Sequence, residues 1–563
     1  MSDKARALYT VDAETDPFGW TPSGKIDTSK PTSDIKPFVW GTYGQKQFRA
    51  FPEAQETLDH IGDKHAVCYA HNGGKFDYFF FLPLLKGINR LKIINGRVAE
   101  FRYNRALFRD SLNIVPVKLA AYKKDNIDYE KFTRTNRDKH ITEIINYLKG
   151  DCVYLYELIN AFRNQYGSKL TLAGAAMASA KEIEGLVIPK TTRGFFNAFQ
   201  PFYHGGRVEA FKKGVWKSNT LSLYDFNSAY PHAMTHDHPW GPEFRVTSYL
   251  PKGRHNLSLS FIRLYADSLG AFPFVDEKGG LSFPSDGRRR LFNVTGHEYL
   301  AAMDTGTLQN PKVVQCYTFL KSINFKRYVD HYFAMKAAHK DGEPEYIFAK
   351  LMLNSLYGKF GANPANYAEY IWCDLDRVPE IENDEHPEYK NFRLVNPWQE
   401  HALMTAPIPD SSMKFYNVAT AASITGFVRA RLWRGIVTAR NPRYCDTDAI
   451  YCDALGPEQS ISKALGDFSS KGTAKGTVAI AGKKLYSIQS PNGNTDEFGN
   501  AVDKDNPPPP DRRFFTAHKG GNITPAEIVR VASGEIVHFA KLAPTFSLTA
   551  GGVYMIERNF RMT

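Results

Sequence analysis

The hydrophobic positions in the first third of the chain follow strand spacing in some segments and helical spacing in others. Residues 7–11 and 65–70 are short apolar runs typical of buried strands, and 141–162 has the spacing of an amphipathic helix. A glycine-rich break follows at 202–206. This pattern predicts an α/β unit over residues 1–180.

Beyond that break the pattern changes several times, and we find no internal repeat. Residues 237–320 are rich in glycine, proline and short strand-like pieces, whereas 325–360 has a strong helical pattern. The proline-rich stretch 490–513 has the composition of a loop or linker. The other predicted elements are a strand ending in polar residues over 220–231, a polar and aromatic stretch over 364–412, a helix over about 415–440, a strand over 443–453 and a closing unit over 514–563.

The composition is that of a large globular protein with a polyanionic partner. The chain has 563 residues, of which 43% are hydrophobic and 23% charged. This length predicts about three or four folding units. The formal net charge of +12 favours nucleic acid as the partner.

Cysteine usage and hydropathy argue against secreted, membrane and fibrous classes. The six cysteines form no C-x-x-C pair and no zinc spacing, which favours a reducing cytoplasm over a disulfide framework. No apolar run approaches the ~20 residues that a membrane span needs. Residues 1–4 lack the layout of a signal peptide.

Four acids and one tyrosine in the first unit have the pattern of a metal-dependent hydrolase. Asp12 and Glu14 are two apart on a predicted strand and therefore point to the same face. Such a pair is common on solvated strands and is weak evidence by itself. Asp77 follows a predicted strand, and Tyr147 precedes Asp151 by four residues on a helix face. Four acids can hold two divalent cations, and a tyrosine can orient the attacking water in phosphodiester hydrolysis.

Three acids in the second half could form another cation site. Asp225 ends a predicted strand, and Asp446 and Asp448 lie two apart in a predicted hairpin. A D-x-D pair is common, but paired with Asp225 across a sheet it would offer oxygen ligands to two Mg²⁺ ions. Such ions can activate a 3′-hydroxyl and stabilise a leaving pyrophosphate.

One helix face between these acids is suited to a nucleotide. Lys350, Asn354 and Tyr357 fall at i, i+4 and i+7, while leucines and a methionine cover the other faces. A buried face would require apolar residues at these positions. A lysine for phosphates and a ring for a base are what nucleotide selection requires.

The order D-x-E, N-x3-F-D and Y-x3-D resembles the three motifs of the proofreading 3′→5′ exonuclease domain of family B DNA polymerases. The resemblance implies a water-orienting role for Tyr147. It implies metal ligands at Asp12, Glu14, Asp77 and Asp151.

The same resemblance assigns further residues of the first unit. Lys124, five residues before Tyr129, resembles the catalytic lysine of protein-primed members, and Lys123 is the adjacent alternative. For His71, a hydrogen-bonded structural histidine is the other interpretation. The positions that match ligands of a single-stranded 3′ end are Thr15, Tyr69, His71, Asn72, Phe76, Phe80, Ser111 and Leu112.

The second half resembles the polymerase motifs of the same family, namely D-x2-S-x-Y-P, K-x3-N-S-x-Y-G, D-T-D, K-x-Y, T-x3-R and Y-x-G-G. The resemblance implies a supporting role for Asp446 and a ring at Tyr230 that excludes a 2′-hydroxyl. Lys340 is the alternative to Lys336. The implied metal ligands are Asp225, Phe226 and Asp448. The implied nucleotide contacts are Ser228, Tyr230, Lys336, Lys350, Asn354 and Tyr357, and the implied DNA contacts are Tyr203, Gly205, Gly206, Thr425, Arg429, Lys484 and Tyr486.

The long gaps between Asp225 and Lys350 and between Asn354 and Asp446 resemble the protein-primed branch of the family. The stretches 69–77, 147–153 and 479–486 resemble the polymerases of tectivirus-type phages. That branch has two terminal-protein-region insertions, of which the first contacts the priming protein and the second helps to encircle the template. The implied fold is α+β and multidomain, with an RNase H-like exonuclease domain before a right-hand polymerase. Its expected parts are the exonuclease (1–180), palm and fingers (181–515, with the insertions at 237–325 and 364–412 and the fingers at 326–363) and thumb (516–563).

The resemblance implies a DNA-directed DNA polymerase that starts from a protein primer, displaces the non-template strand and proofreads. It implies two Mg²⁺ ions per site, with Mn²⁺ as a substitute, and a chain that is monomeric or paired with the terminal protein. Expected partners are DNA, dNTPs and the terminal protein in the host cytoplasm, without a membrane. The alternatives are a nucleic-acid-primed polymerase and a catalytically silent DNA-binding scaffold. Arg288, Arg289 and Arg290 either meet such a partner or lie on a solvated loop.

Overall fold

The computed structural model describes residues 6–15, 36–383, 387–503, 507–518, 523–547 and 552–562. Residues 1–4, whose sequence lacks the layout of a signal peptide, lie outside these ranges. Within them, no helix is long and apolar enough to cross a membrane.

The first unit has a mixed sheet covered by a long helix. The helix begins four residues before the predicted start and ends where Gly167 takes a positive φ of 73°. It packs on the first two strands. The strands are β1 (Ala7–Thr15), β2 (Pro37–Gly44), β3 (Gln47–Phe51), β4 (Ala66–Ala70), β5 (Ile88–Ile94), β6 (Arg97–Tyr103) and β7 (Ala106–Asp110), and the helices are α1 (Ala54–Gly62), α2 (Tyr78–Phe81), α3 (Arg137–Tyr166) and α4 (Leu172–Glu184).

The next segment starts a second sheet. The predicted strand over 220–231 is shorter than expected, because Ser228 adopts a left-handed φ of 56° and a helix follows at once. The elements are α5 (Arg193–Phe199), β8 (Val208–Ala210), β9 (Gly214–Ser218), β10 (Ser222–Phe226) and α6 (Ala229–Met234).

The segment 237–325 is built around a four-stranded antiparallel sheet with the order β12-β17-β13-β16. A capping box between Thr295 and Glu298 starts its main helix. Its elements are β11 (His238–Pro239), β12 (Phe244–Thr247), α7 (Arg254–Ser258), β13 (Ser260–Asp267), β14 (Phe274–Val275), β15 (Leu281–Ser282), β16 (Arg290–Thr295), α8 (Gly296–Asp304), β17 (Gln309–Phe319) and β18 (Ser322–Ile323).

The predicted helical stretch 325–360 is two helices, because Gly342 and Pro344 interrupt it. The two helices pack on each other and on α4 of the first unit. They are α9 (Lys326–Ala338) and α10 (Pro344–Phe360).

The 364–412 segment joins the sheet of the first unit. Its first strand pairs with β5, which gives ten strands in the order β20-β21-β19-β5-β6-β7-β4-β1-β2-β3. Trp372 is buried in the same core as Phe79 and donates its indole N–H to the Leu82 carbonyl at 2.9 Å. The elements are β19 (Ala368–Asp374), α11 (Val378–Glu382), β20 (Arg393–Trp398) and β21 (His401–Pro407).

The remaining elements complete the second sheet and add a third. The second sheet has the order β24-β10-β23-β22-β8, and the third has the order β27-β26-β25-β9. The predicted strand over 443–453 is a hairpin that turns at Thr447, where φ is 58°. The elements are α12 (Val418–Thr438), β22 (Tyr444–Asp446), β23 (Ala449–Cys452), β24 (Phe468–Thr473), β25 (Gly476–Gly482), β26 (Leu485–Gln489), β27 (Phe514–Ala517), α13 (Pro525–Ala532), β28 (Val537–Ser547) and β29 (Gly552–Met562).

Candidate active sites

The acids of the first unit meet at the end of β1. Asp12 and Glu14 project from one face of that strand, and α3 brings Asp151 against them. One carboxylate oxygen from each of the three lies within 4.8 Å of the others. Asp77 begins α2 and interacts electrostatically with Asp12 and Glu14.

The electrostatics of this cluster favour a cation. Burial, followed by the charge of Asp151, raises the pKa of Asp12 to about 7. Burial and the neighbouring acids also raise the pKa values of Glu14 and Asp77 well above their usual range. The Oδ1 atoms of Asp77 and Asp151 are buried without a hydrogen-bond partner. Orphaned carboxylate oxygens in a repelling cluster fit the oxygen coordination of divalent cations.

Lys124 lies beside this cluster and Lys123 does not. The Lys124 ammonium donates to Asp151 Oδ2 at 2.8 Å and stands 5.1 Å from the Tyr147 ring centroid. Burial opposes the charge of Lys124, but Asp151 raises the pKa of its ammonium overall. Lys123 instead pairs with Glu157 at 2.8 Å. Of the two lysines that the sequence left open, the geometry places Lys124 at the acids.

Tyr147 faces the acid cluster from α3. Its hydroxyl is 3.3 Å from the hydroxyl of Tyr129, which follows Lys124 by five residues in the sequence. Burial is the largest cause of the raised pKa of Tyr147. The hydrogen bond with Tyr129 and the charges of Asp151 and Glu14 raise this pKa further. The phenol therefore stays protonated at neutral pH and can donate a hydrogen bond.

A network beside the acids holds the N-x3-F-D loop. Asn72 has a left-handed φ of 69°, and its Oδ1 accepts from Arg97 Nη1 at 2.7 Å. The same nitrogen donates to the buried Asp110 at 2.7 Å, and Asp110 also accepts from the Gly74 amide. Sequence reasoning missed Arg97, because no local motif marks a residue on β6 as a partner of this loop.

The other predicted ligands of a 3′ end differ in exposure. Tyr69 and Ser111 are buried, whereas Phe76 and Phe80 form an edge-to-face pair with centroids 5.6 Å apart. His71 Nδ1 lies 2.9 Å from Ser111 Oγ, and burial lowers the pKa of this imidazole. Leu112 follows Asp110 and donates its amide to that carboxylate, while Thr15 ends β1 beside the acids.

The acids of the second sheet are brought together by strand pairing. Asp225 is opposite Ala449, so Asp448 lies beside Asp225 where the hairpin turns. Burial, followed by Asp225, raises the pKa of Asp448 to about 7. Both oxygens of Asp446 accept from the Lys484 ammonium, at 2.7 and 2.8 Å. Asp225 and Asp448 therefore form a second carboxylate pair that fits a divalent cation.

Phe226 could serve a cation only through its backbone. Its ring stacks on Phe468 with centroids 3.9 Å apart, and its amide donates to the Asp448 carbonyl at 2.9 Å. Its side chain is therefore committed to the core.

Two aromatic rings lie beside this acid pair. Tyr230 on α6 stacks on Tyr357 of α10, with ring centroids 4.4 Å apart and planes 5° apart. The side-chain amide of Asn354 donates from Nδ2 to the Lys350 backbone carbonyl, one turn earlier, at 2.8 Å. Ser228, with its left-handed φ, precedes α6 and starts the turn that aims Tyr230.

Two cationic side chains complete the surroundings. Burial lowers the pKa of Lys336, and the positive charges of Lys350 and Lys471 lower it further. Lys336 thus interacts electrostatically with Lys350, and the choice of Lys336 over Lys340 stays a prediction. Lys471 was missed by sequence reasoning, because it lies outside every recognisable motif. Its ammonium is 3.0 Å from Asp225 Oδ2.

The Y-x-G-G segment packs against the turn of the β22–β23 hairpin and against the residue that follows α10. A Cβ on Gly206 would stand 2.8 Å from Thr447, and a Cβ on Gly361 would stand 2.4 Å from the Tyr203 ring. Arg429 is buried and donates to the carbonyls of His204 and Gly205 at 2.6 and 3.0 Å. This geometry gives Arg429 a positioning role for the segment.

Two more predicted DNA contacts are engaged within the protein. The hydroxyl of Thr425 donates to the Ala422 carbonyl of its own helix at 3.1 Å. The hydroxyls of Tyr486 and Tyr451 are 2.7 Å apart in a hydrophobic core between the sheet of β10 and β23 and the sheet of β25 and β26. Tyr486 thereby ties the K-x-Y strand to the hairpin of Asp446 and Asp448.

Comparison with known proteins gives consistent matches. The family model for "DNA polymerase type B, organellar and viral" matches residues 117–431. The chain is 36% identical over 581 residues to a DNA-directed DNA polymerase of Enterobacteria phage PRD1, covering 99% of this chain and 98% of that protein. It is 25% identical over 410 residues to a DNA polymerase of Streptococcus phage Cp-1, covering 65% and 69%.

Solved structures of phi29 DNA polymerase share the fold. The complex with single-stranded DNA matches with a TM-score of 0.69 at 18% identity, covering 99% of this chain and 100% of that chain. The ternary complex with primer-template DNA and incoming nucleotides matches with a TM-score of 0.70 at 18% identity and the same coverage. The predicted multidomain α+β fold is confirmed by these matches.

Proposed function

The chain belongs to the family B DNA polymerases of the organellar and viral type, and we propose that it replicates a linear phage-type genome with protein-primed initiation, strand displacement and 3′→5′ proofreading. The 36% identity with the phage PRD1 polymerase over nearly the whole chain supports a DNA-directed DNA polymerase related to protein-primed enzymes. The carboxylate pair Asp225 and Asp448, beside stacked tyrosines and converging lysines, is the observation that carries the catalytic part of the proposal.

In the proposed polymerase reaction, Asp225 and Asp448 would hold two Mg²⁺ ions, with Mn²⁺ as a substitute. Such ions would lower the pKa of the primer 3′-hydroxyl and stabilise charge on the pyrophosphate. Tyr230 supports the sugar of the incoming nucleotide, and Lys336 and Lys350 bind its phosphates. Holding the reactants in line in this way accounts for much of the rate of phosphoryl transfer.

In the proposed exonuclease reaction, Asp12, Glu14, Asp77 and Asp151 hold a second pair of cations. Burial and then mutual repulsion raise the pKa values of Asp12, Glu14 and Asp77, and a bound cation would offset both effects. Tyr147 orients the attacking water through its protonated hydroxyl.

The neighbours of this site support the same reaction. Lys124 bonds to Asp151 and can stabilise negative charge on the phosphate. The half-buried rings of Phe76 and Phe80, near Asp77, offer stacking surfaces for an unpaired 3′ end.

Protein priming is supported by the insertion over 237–325. Arg290 of its triplet pairs with Asp286 at 2.6 Å, and the Arg289 guanidinium lies 5.9 Å from the Tyr265 ring. Arg288 has an exposed side chain 3.9 Å from Asp286. These side chains give the insertion a basic and aromatic surface. Such a surface suits contact with a priming protein, with the polymerase itself a monomer.

We propose that the protein works in the host cytoplasm, which is consistent with its six free cysteines.

Extension of a singly primed single-stranded circle tests the proposal. The protein, Mg²⁺ and dNTPs are supplied without a clamp or helicase, and Asp448→Ala serves as the inactive control. Products longer than one circle are expected, because strand displacement allows repeated passage. Products that stop at one circle would remove strand displacement, and no product would favour the silent scaffold.

Covalent labelling tests protein priming. Labelled dNTP is incubated with the polymerase and candidate proteins encoded beside its gene. A labelled protein that survives denaturation and nuclease treatment is expected. A polymerase that extends DNA primers and labels none of these proteins would be the nucleic-acid-primed alternative.

A further inference from the structure

A β-bulge places one lysine outside the recognised motifs at the polymerase carboxylates. Leu223 of β10 pairs with Gly472 and Tyr224 pairs with Ser470, so Lys471 is the extra residue on β24. Bulges re-aim side chains and are frequent beside active sites. The Lys471 ammonium lies 3.0 Å from Asp225 Oδ2.

The position of Lys471 leaves it accessible to a ligand. The side chains of Lys471 and Asp225 are 47% and 31% exposed, so the ion pair is accessible to solvent and is not buried in the core. An exposed pair adds little to stability. The bulge therefore has a stronger explanation in ligand binding than in folding.

Three lysines from three different elements interact electrostatically. Lys336 comes from α9, Lys350 from α10 and Lys471 from β24. Burial lowers the pKa of Lys336, and the charges of Lys350 and Lys471 lower it further. Positive groups are brought together against their mutual repulsion where a highly charged anion binds.

We infer that Lys471 binds the triphosphate of the incoming nucleotide. In the free protein its ammonium neutralises Asp225, and when cations occupy the carboxylates it turns to the β- and γ-phosphates. The flexible four-carbon stem of lysine permits this exchange. The inference rests on the polymerase function proposed above and adds a phosphate-binding residue to that site.

The test is nucleotide binding without catalysis. A primer ended with a dideoxynucleotide is bound to template, Ca²⁺ replaces Mg²⁺, and the dissociation constant of the next dNTP is measured for wild type, Lys471→Met and Lys471→Arg. Lys475→Met changes an exposed lysine four residues along and is the matched control. We expect Lys471→Met to weaken dNTP binding about tenfold or more, Lys471→Arg to recover most of it and Lys475→Met to leave it unchanged.

Three further measurements separate the outcomes, namely primer-template binding, nucleotide incorporation by the wild type and degradation of single-stranded DNA. If Lys471→Met weakens primer-template binding and leaves dNTP binding intact, the lysine serves a DNA phosphate and the inference is overturned. Unchanged binding of both ligands would also overturn it. Wild-type protein that incorporates no nucleotide would instead refute the polymerase function, and degradation of single-stranded DNA by Lys471→Met shows that the variant is folded.

Discussion

At the scale of single side chains, both acid clusters consist of carboxylates that repel one another until a cation enters. Asp12 and Asp448 each have a pKa raised to about 7, by burial and then by a neighbouring acid. Lysines partly offset this repulsion, Lys124 in the first site and Lys471 in the second. A single neutral substitution should therefore disable one site and leave the other intact.

Replacing Asp448 by alanine should abolish DNA synthesis and spare degradation of a single-stranded 3′ end. The loss in synthesis should exceed ~100-fold, because even an indirect supporter of a metal site is worth that much. Primer extension and 3′-end degradation measure the two activities. Asp453→Ala, at the other end of the hairpin, is the matched control. Loss of both activities in Asp448→Ala would contradict the assignment.

The double substitution Asp12→Ala with Glu14→Ala should have the opposite effect. Degradation of a single-stranded 3′ end should fall more than ~100-fold, since two cation ligands are removed, while extension continues. Glu143→Ala, an exposed acid on α3, controls for loss of negative charge. Degradation that persists in the double variant would show that the exonuclease site lies elsewhere.

At the scale of elements, a buried histidine joins α6, which carries Tyr230, to α12. His238 Nε2 donates to the Ala233 carbonyl at 2.7 Å, and Nδ1 accepts from the Ser423 hydroxyl at 2.9 Å. Burial lowers the pKa of His238 to about 4. Because the unfolded imidazole protonates near 6.5, the unfolded state binds more protons below that pH. Stability should fall as the pH drops from about 6.5 to about 4.

His238→Gln should flatten this loss, because glutamine can also donate and accept at this position. Between pH 7 and pH 5 the wild type should lose about 2 kcal/mol more than the variant. Denaturant midpoints across this pH range measure the difference. His255→Gln changes an exposed histidine and should follow the wild type. Parallel pH profiles for His238→Gln and wild type would contradict the prediction.

At the scale of the whole molecule, the net charge of +12 acts on DNA of any sequence. If six or more phosphates are contacted, affinity for duplex DNA should fall about 10³-fold or more between 50 and 200 mM salt. Fluorescence anisotropy of a labelled duplex measures this decrease. A weak salt dependence would mean that stacking and hydrogen bonds dominate binding. Glutamate in place of chloride separates anion displacement from counterion release.

The whole molecule is also more interlocked than its order of motifs suggests. The 364–412 segment lies between polymerase motifs in the sequence, yet its strands extend the sheet that holds Asp12. His401 reinforces this join with its Nε2 at 3.0 Å from the Leu85 carbonyl. The 364–412 segment and the first unit therefore share a hydrophobic core.

Much of the candidate chemistry was determined by the sequence itself, because it depends on short-range periodicity. The two-residue repeat of a strand puts Asp12 and Glu14 on one face, and helical spacing aligns Lys350 with Asn354. The D-T-D turn likewise keeps Asp446 and Asp448 together on one hairpin. Motifs of this kind also carried the family resemblance, which the comparisons confirmed.

Only the tertiary structure decided which distant residues support those motifs. Arg97 reaches Asn72 because β6 lies next to β7 in the sheet, and Lys471 reaches Asp225 because a bulge shifts its register. The choice of Lys124 over Lys123 depended on which acid of α3 each one meets, since Lys124 pairs with Asp151 and Lys123 with Glu157. Strand pairing between remote segments is selected by the packing of the whole core, so no local pattern encodes it.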